Sequence, residues 1–203
     1  RQLLAYASRY LKANYTVEFY VALLNNQPMG FYSPATLIQD AKRHGIRARP
    51  VDVMYSDWRC VVESENSLRL GLIMVNGVSR AHMEAMLEDR ERYSFLDLGD
   101  FRRRTHFDRD EIRTLASIGA LNCFEKSRRH ALWSVETVYD PGDLFADAVA
   151  EDESGLSPLE IMTHVERLQA DYQGIGVTVG DHPMAAIRSR LSQVWTAHDL
   201  EHT

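Results

Sequence analysis

A repeated pattern of short amphipathic segments separated by tight turns restricts the fold of this chain more than any other feature. Residues 80–92, 94–101 and 108–118 each place apolar side chains at helical spacing, and the last two begin with residues that favour helix N-caps. Another such segment follows Ser127. Because the connections are only a few residues long, consecutive helices are expected to pack as hairpins. The pattern predicts a tandem arrangement of helix, turn and helix in the middle of the chain.

The part of the chain before this region is predicted to be helical with a small β-hairpin. Apolar residues at helical spacing indicate two helices within the first 25 residues. Ser33 and Pro34 combine a capping side chain with proline at the first helical position, and Gly45 is the expected end of that helix. Residues 60–62 and 68–72 form two short strand-like runs around a polar turn. The fold class expected for the whole chain is therefore mainly α.

The part of the chain that follows the repeated region begins with a linker-like stretch. Residues 140–155 contain proline, glycine and a run of acidic residues with few bulky side chains. The sequence Ser157-Pro158-Leu159-Glu160 then matches a capping box, which predicts a helix that continues through Tyr172. Pro183 is expected to begin a last helix. These boundaries divide the chain into residues 1–72, 73–139 and 140–203.

Composition places the chain among ordinary globular proteins. It has 203 residues, of which 45% are hydrophobic and 26% charged, and only two cysteines. The sequence holds no apolar run near the roughly 20 residues of a membrane helix and no secretory leader, so a cytoplasmic protein without membrane contact is expected. Because the chain begins with Arg1 rather than methionine, it is expected to be a piece of a longer protein.

Charge is distributed unevenly along the chain. The net charge is −6, which argues against a nucleic-acid binder that works by bulk electrostatics. Residues 1–50 carry an excess of basic groups, residues 151–203 an excess of acidic groups, and three consecutive arginines stand at 102–104. The chain thus runs from a basic start to an acidic end, with a local basic run in the middle.

The segment from Asn76 to Arg80 has the form of a helix-hairpin-helix turn. A helix directly follows the order apolar-x-Gly-apolar-small, which is Val75-Asn76-Gly77-Val78-Ser79 here, so that backbone N–H groups point outward at the helix N-terminus. Glycine allows the tight turn and a close approach to a phosphate, although Ser79 stands where a second glycine is usual. The predicted contacts are Asn76, Gly77, Val78, Ser79 and Arg80. An ordinary interhelical turn is the alternative interpretation.

A second candidate turn lies at residues 105–109. The predicted contacts are His106, Phe107 and Arg109, preceded by Arg102, Arg103 and Arg104. Two such turns would fix the position of a duplex better than one, and the arginines could add phosphate contacts that release counterions. The alternative is that the three arginines form a solvated helix end, where positive charge is favourable.

The sequence predicts neither catalytic nor metal-binding residues. Eight histidines are scattered, and the tail pair His198 and His202, which alone has ligand spacing, stands at the chain end. No clustered Asp-x-Asp on a strand-like run offers a site for two metal ions, and no cofactor is expected in this chain.

Taken in order, these residues resemble bacterial C-family DNA polymerases, in the form of the error-prone paralogue of the DNA polymerase III α subunit. The resemblance covers nearly the whole chain. It is carried by the segments Tyr10-Leu11-Lys12, Asn25-Asn26-Gln27-Pro28-Met29-Gly30-Phe31-Tyr32, Arg43-His44-Gly45, Pro50-Val51-Asp52-Val53, Leu68-Arg69-Leu70-Gly71-Leu72, Ile118-Gly119-Ala120-Leu121-Asn122, Ala131-Leu132-Trp133, Ala170-Asp171-Tyr172 and His182-Pro183-Met184.

The resemblance implies that the chain is a fragment of a polymerase used in damage-induced translesion synthesis. Residues 1–72 would be the end of the fingers, 73–139 a tandem helix-hairpin-helix region, and 140–203 an acidic linker with helices leading toward a downstream OB-fold domain. The catalytic aspartates and their Mg²⁺ would lie upstream, so the fragment alone is expected to be inactive. Its expected partner is duplex primer–template DNA.

The resemblance also suggests protein partners, among them a sliding clamp and accessory mutagenesis proteins. Leu144 and Phe145 are the candidate clamp-binding pair, and the alternative is an incidental anchor of the linker. A competing interpretation of the whole chain is a protein-interaction or scaffold module of the replication machinery, whose acidic C-terminal third docks a partner and which makes no direct DNA contact.

Overall fold

A computed structural model describes residues 2–30, 32–137, 160–188 and 191. The chain is mainly helical with one small sheet, which confirms the predicted fold class. The elements are α1 (Gln2–Asn14), α2 (Thr16–Asn25), α3 (Pro34–Arg43), β1 (Arg47–Arg49), β2 (Val61–Ser64), β3 (Ser67–Arg69), a 3₁₀ turn (Leu72–Met74), α4 (Arg80–Arg92), α5 (Leu98–Arg104), α6 (Arg109–Ser117), α7 (Arg128–Thr137), α8 (His164–Ile175) and α9 (Pro183–Arg188).

None of the helices in these described ranges is long and apolar enough to cross a membrane.

The third helix begins and ends as the sequence predicts. The Ser33 hydroxyl accepts a hydrogen bond from the Thr36 amide, and Pro34 occupies the first helical position. Gly45 follows the helix with a φ of +80°, the left-handed conformation that glycine adopts without strain. The helix buries Ile38 and Ala41 completely, so its apolar face packs into the core.

The predicted hairpin is present and is extended by a third strand. β2 pairs antiparallel with β3, and β1 pairs parallel with the other edge of β3, giving the order β1-β3-β2. Leu68 in the central strand lies opposite Ala48 on one side and Val62 on the other. The first strand stops before Pro50, whose ring nitrogen cannot donate to a sheet ladder.

A cluster of aromatic rings forms the centre of the helical region. Phe101 of α5 is fully buried, and its ring centroid lies 5.0 Å from Phe95, 5.8 Å from Phe107 and 5.7 Å from Phe124. Offset and edge-to-face packing of this kind adds to the stability gained from burying the rings. These four rings come from α5, the segments that flank it and the turn after α6, so α5 packs at the centre of the hairpins.

The helix predicted to start at Ser94 begins later, at Leu98. Asp97 provides the N-cap, since its carboxylate accepts a hydrogen bond from the Asp100 amide at 2.7 Å. The apolar residues before it divide: Phe95 is buried in the aromatic cluster, whereas Leu96 is 85% exposed. Asp97 therefore caps this helix instead of Ser94, the residue that the sequence predicted.

The helix predicted from the capping box at Ser157 also begins later, at His164. Ser157 itself lies outside the described residues, but Glu160 and Ile161 are described and are not helical. Thr163 and Glu166 form the capping box instead, each side chain accepting from the other's backbone N–H. Two sequences in this segment fit a helix start, and the local pattern alone did not distinguish them.

α8 packs against the helical hairpins through a buried ion pair and one very close contact. Arg128 of α7 donates to Asp171 of α8 at 2.6 Å, and the Thr178 hydroxyl donates to the same carboxylate at 2.7 Å. Gly174 lies so close to Ile118 that a Cβ at this position would come within 2.2 Å of the Ile118 Cγ2 atom. α8 is thus joined to the region between α6 and α7.

The contact between α8 and Ile118 can be tested with a double-mutant cycle. Gly174→Ala is expected to lower the free energy of unfolding by about 1–3 kcal/mol through overpacking, and Ile118→Ala by about 2–5 kcal/mol through a cavity. The double variant is expected to lose less than the sum, because the added methyl group occupies space that the truncated side chain vacates. Urea unfolding measures all three values, and additive losses would contradict the close contact.

Candidate nucleic-acid interface

The first predicted turn lies at the surface between the 3₁₀ turn and α4. Gly77 has a φ of +74°, and a Cβ built on it would meet no atom within 4 Å. Asn76, Gly77 and Ser79 are exposed, whereas Val78 is half-buried and packs on the core. Glycine is therefore needed here for its backbone conformation, and the turn is open to solvent.

Two amides of this turn are hydrogen-bonded within the protein. The Asn76 N–H donates to the Gly174 carbonyl of α8 at 2.7 Å, and the Ser79 N–H donates to Oε1 of Glu111 in α6 at 2.7 Å. For the amides of Gly77 and Val78 the structure gives no acceptor among the described residues. An external phosphate would therefore meet the middle of the turn rather than its ends.

Arg80 is the first residue of α4 and lies beside the turn. Its side chain is 69% exposed, pairs with Glu84 one helical turn later at 2.8 Å, and extends over the Trp58 ring at 5.1 Å. Stacking on an indole restricts an arginine to fewer conformations and leaves its other face available. Arg80 is thus held at the surface in a position where it can meet a ligand of the first turn.

The second predicted turn connects α5 to α6. Phe107 is buried and stacks on Phe101, whereas His106 is exposed. Asp108 is the N-cap of α6 and accepts from the Glu111 amide at 2.8 Å. Arg109, the first residue of α6, is exposed and forms an ion pair with Glu136. His106 and Arg109 are therefore accessible, and Phe107 supports the turn from inside.

Glu111 connects the two turns, and the sequence pattern did not identify it as a functional residue. Its carboxylate accepts from the Ser79 amide at 2.7 Å and from the Asp108 amide at 2.9 Å, and it lies 2.7 Å from Nδ1 of His82. Burial acts to raise the pKa of Glu111, but these hydrogen bonds outweigh it and lower the pKa below its usual value. The spacing Asp108-x-x-Glu111 matches a capping box and was the available signal.

The three consecutive arginines have three different environments. Arg104 is used inside the protein: it donates to Asp89 at 2.8 Å and Asp100 at 3.0 Å, and its guanidinium lies 4.5 Å from the Phe95 ring centroid. The Arg103 side chain is 76% exposed, with Asp100 at 3.5 Å. The interpretation as a solvated helix end therefore fits Arg103 best and Arg104 least.

Arg102 combines burial with an unsatisfied donor. Its Nη1 atom is inaccessible to solvent and has no hydrogen-bond partner among the described residues. Burial, and after it the charge of Arg109, lower the pKa of Arg102. Two guanidinium groups thus repel each other beside the second turn, and one carries a free N–H in a buried position. An external anion cannot reach the shielded Nη1 atom, but beside the two guanidinium groups it would reduce their repulsion.

A pocket of about 770 Å³ lies elsewhere, between the first three helices and α8. It is bordered by Tyr20, Lys12 and Asp40, and hydrogen bonds from the tyrosine and the lysine lower the pKa of Asp40. None of the described residues that line it belongs to the predicted contacts. Across the described ranges, no three His, Cys, Asp or Glu side chains lie close enough together to hold a metal ion.

A comparison with known families matches the segment of the chain that contains both turns. A family model described as a helix-hairpin-helix motif matches residues 45–131, a range that contains both turns and helices α4 to α6. The range also includes the sheet, which lies directly before the first turn.

Curated proteins extend the similarity over most of the chain. The error-prone DNA polymerase of Alkalilimnicola ehrlichii is 41% identical over 99% of this chain, that of Pseudomonas aeruginosa 40% over 93%, and that of Azoarcus sp. 41% over 94%. The chain is homologous to one segment of the error-prone DNA polymerases. It spans about one fifth of the length of each of these relatives. The resemblance stated from the sequence is thereby confirmed.

The ionised form of Glu111 is expected to stabilise the fold of this polymerase segment. Its lowered pKa means that the stabilisation is present above the ordinary glutamate range and is lost as the pH falls through the folded-state pKa. The difference in unfolding free energy between the wild type and Glu111→Gln should therefore be larger at pH 7 than at pH 3. Urea unfolding at both values measures it, and a pH-independent difference would exclude a stabilising carboxylate.

Proposed function

We propose that this chain is part of an error-prone DNA-directed DNA polymerase that carries out translesion synthesis after DNA damage. Within it, the chain would hold duplex primer–template DNA through the two helix-hairpin-helix turns. The names of the relatives and the matching motif support the proposal. Backbone amides at such turns contact phosphates, and these contacts do not depend on the base sequence of the DNA. This suits a polymerase that must copy any template.

The pair of guanidinium groups beside the second turn, those of Arg102 and Arg109, is the observation that carries this proposal. Arg109 is exposed, whereas Arg102 is half-buried and its Nη1 atom is shielded from solvent. A DNA phosphate beside the accessible atoms of both groups would reduce their mutual repulsion and accept charge-assisted hydrogen bonds.

The first turn would contact a second phosphate. The free amides of Gly77 and Val78, with Arg80 beside them, offer the donors expected of a phosphate contact. Asn76 and Ser79 would act through their positions, because their amides already bind Gly174 and Glu111. Such local contacts are compatible with a net charge of −6.

The remaining parts of the proposal concern the whole polymerase. Nucleotidyl transfer and its Mg²⁺ are assigned to regions outside this chain, and the enzyme would act in the cytoplasm. A sliding clamp and accessory mutagenesis proteins would be its protein partners. Leu144 and Phe145, the candidate clamp-binding pair, lie outside the described residues.

A second candidate function, a protein-interaction module without DNA contact, is favoured by one observation on α1. Leu3, Tyr6, Tyr10 and Leu11 are between 46% and 80% exposed, and they follow one broad face of the helix. The opposite side carries Lys12, which pairs with Asp40 of α3. An apolar helix face turned away from its own core is typical of a surface that packs against other protein.

Salt dependence of DNA binding distinguishes the two functions. The 203-residue chain is expected to bind a fluorescein-labelled primer–template duplex with an affinity that falls steeply with salt, by a log–log slope of about −0.9 for each neutralised phosphate. The variant Gly77→Val/Arg103→Ala should bind more weakly, because a β-branched residue strains the left-handed position and one surface charge is removed. Fluorescence anisotropy across a salt series measures both values.

The matched control is Gly45→Val/Arg43→Ala. Gly45 has the same kind of conformation, with a φ of +80° and open space around it, and Arg43 is exposed, but both lie at the end of α3. This control should bind duplex as the wild type does. Equal loss in both double variants, or no binding at low salt, would count against the turns and favour the interaction module.

The absence of polymerase activity in the isolated chain is a separate expectation. Purified chain mixed with primed template, all four deoxynucleotides and Mg²⁺ should extend no primer, because the catalytic aspartates are assigned to another part of the enzyme. Primer extension on a denaturing gel measures this, with a commercial polymerase as positive control. Template-dependent incorporation that survives repeated purification would overturn the assignment.

A further inference from the structure

We propose that Glu111 is a positioning residue that holds the two DNA-binding turns at a fixed separation, so that both can contact one duplex at the same time. The inference rests on the proposed function, because it concerns the relative placement of the turns that would bind phosphates. The arrangement follows from the contacts of a single carboxylate.

The two oxygens of this carboxylate reach both turns. Oε1 accepts from the amide of Ser79, the last residue before α4, at 2.7 Å. Oε2 accepts from the amide of Asp108, the last residue before α6, at 2.9 Å. The first turn ends at Ser79 and the second at Asp108, so one side chain fixes where both helices begin.

Burial makes this bridge strong. Glu111 is only 5% exposed, and hydrogen bonds from backbone amides to an ionised, buried oxygen are stronger than those between neutral groups. Both donors lie at helix N-termini, where the helix dipole favours a negative charge. His82 contacts Oε2 as well, so α4 is attached at a second point along its first turn.

The same contacts raise a competing possibility that the experiment must separate. Glu111 occupies the position at the start of α4 where a phosphate could bind, so it could act as an internal competitor of DNA. The two roles predict opposite results when the charge is removed. Loss of a competitor tightens DNA binding, and loss of a positioning group weakens it.

Two variants remove the bridge in different ways. Glu111→Gln keeps the shape of the side chain but replaces one accepting oxygen with a donating group. Ser79→Pro removes the amide that Oε1 binds, and its ring fills the space of that hydrogen bond and moves the carboxylate away from the first turn. Ser79 has a φ of −63°, which proline adopts, so this variant tests the bridge even if Glu111→Gln does not fold.

The matched control is Glu166→Gln in α8. Glu166 is also the third helical residue of a capping box, with Thr163, and its substitution removes the same charge without touching either turn. The full 203-residue chain and each variant are titrated into labelled primer–template duplex at several salt concentrations. Urea unfolding establishes conditions in which each protein is folded.

The proposal expects both bridge variants to bind duplex several-fold more weakly, with a log–log salt slope reduced by about 0.9 for each phosphate that the protein no longer neutralises. The control should keep the wild-type slope. Weaker binding after removal of a negative charge opposes the general electrostatic trend, so the change of charge alone does not produce it. Tighter binding by Glu111→Gln would identify a competitor and overturn the proposal.

Failure of this inference differs from failure of the proposed function. Wild-type chain that binds duplex with a steep salt slope, together with folded bridge variants of unchanged affinity and slope, overturns the role of Glu111 alone. Wild-type chain that does not bind duplex overturns both. A reduced slope confined to Glu111→Gln and Ser79→Pro supports both.

Discussion

Charged side chains that bind backbone groups at the ends of short helices hold this fold together. Helices of 6 to 13 residues leave a large share of their terminal N–H and C=O groups without intrahelical partners. Arg104 donates to the carbonyls of Asp89 and Tyr93, where α4 ends, and Glu111 accepts at the starts of α4 and α6. Arg90 binds loop carbonyls, those of Val53 and Ser56. Ionic contacts to the backbone therefore add to the packing of the aromatic core.

This use of charge restricts how such a chain can approach DNA. Arg104 and Arg128 are largely buried in ion pairs with Asp89 and Asp171, so they are not available to an external phosphate. The accessible cations near the turns are individual side chains, those of Arg80, Arg103 and Arg109, and the net charge of the chain is negative. Association would thus depend on a few well-placed amides and guanidinium groups rather than on a positively charged surface. These few contacts would hold DNA only in the orientation in which the duplex meets both turns.

Local signals in the sequence predicted much of the fold, and long-range contacts account for what they missed. The turn at Gly77 and the helix starts at Ser33 and Asp108 were found because each depends on neighbouring residues. The pairing of β1 with β3 and the contact of Arg104 with Asp89 join residues twenty and fifteen positions apart, so spacing alone did not reveal them. At the turns, the DNA contacts remain predictions. Their coupling through Glu111 was visible only once α4 and α6 were placed together.

The hydrogen bond from Asn76 to Gly174 shows that the contacts that support the first turn extend beyond the residues that match the motif. The matching motif ends at residue 131, yet the carbonyl that holds one side of its first turn belongs to α8, more than forty residues further along the chain. Arg128 and Ile118 are covered by the same helix. A piece cut at the motif's end would deprive Arg128 of its carboxylate partner, Ile118 of the backbone that covers it and the Asn76 amide of its acceptor. During evolution, a substitution in α8 would therefore alter the conformation of a turn that lies almost one hundred residues earlier in the chain.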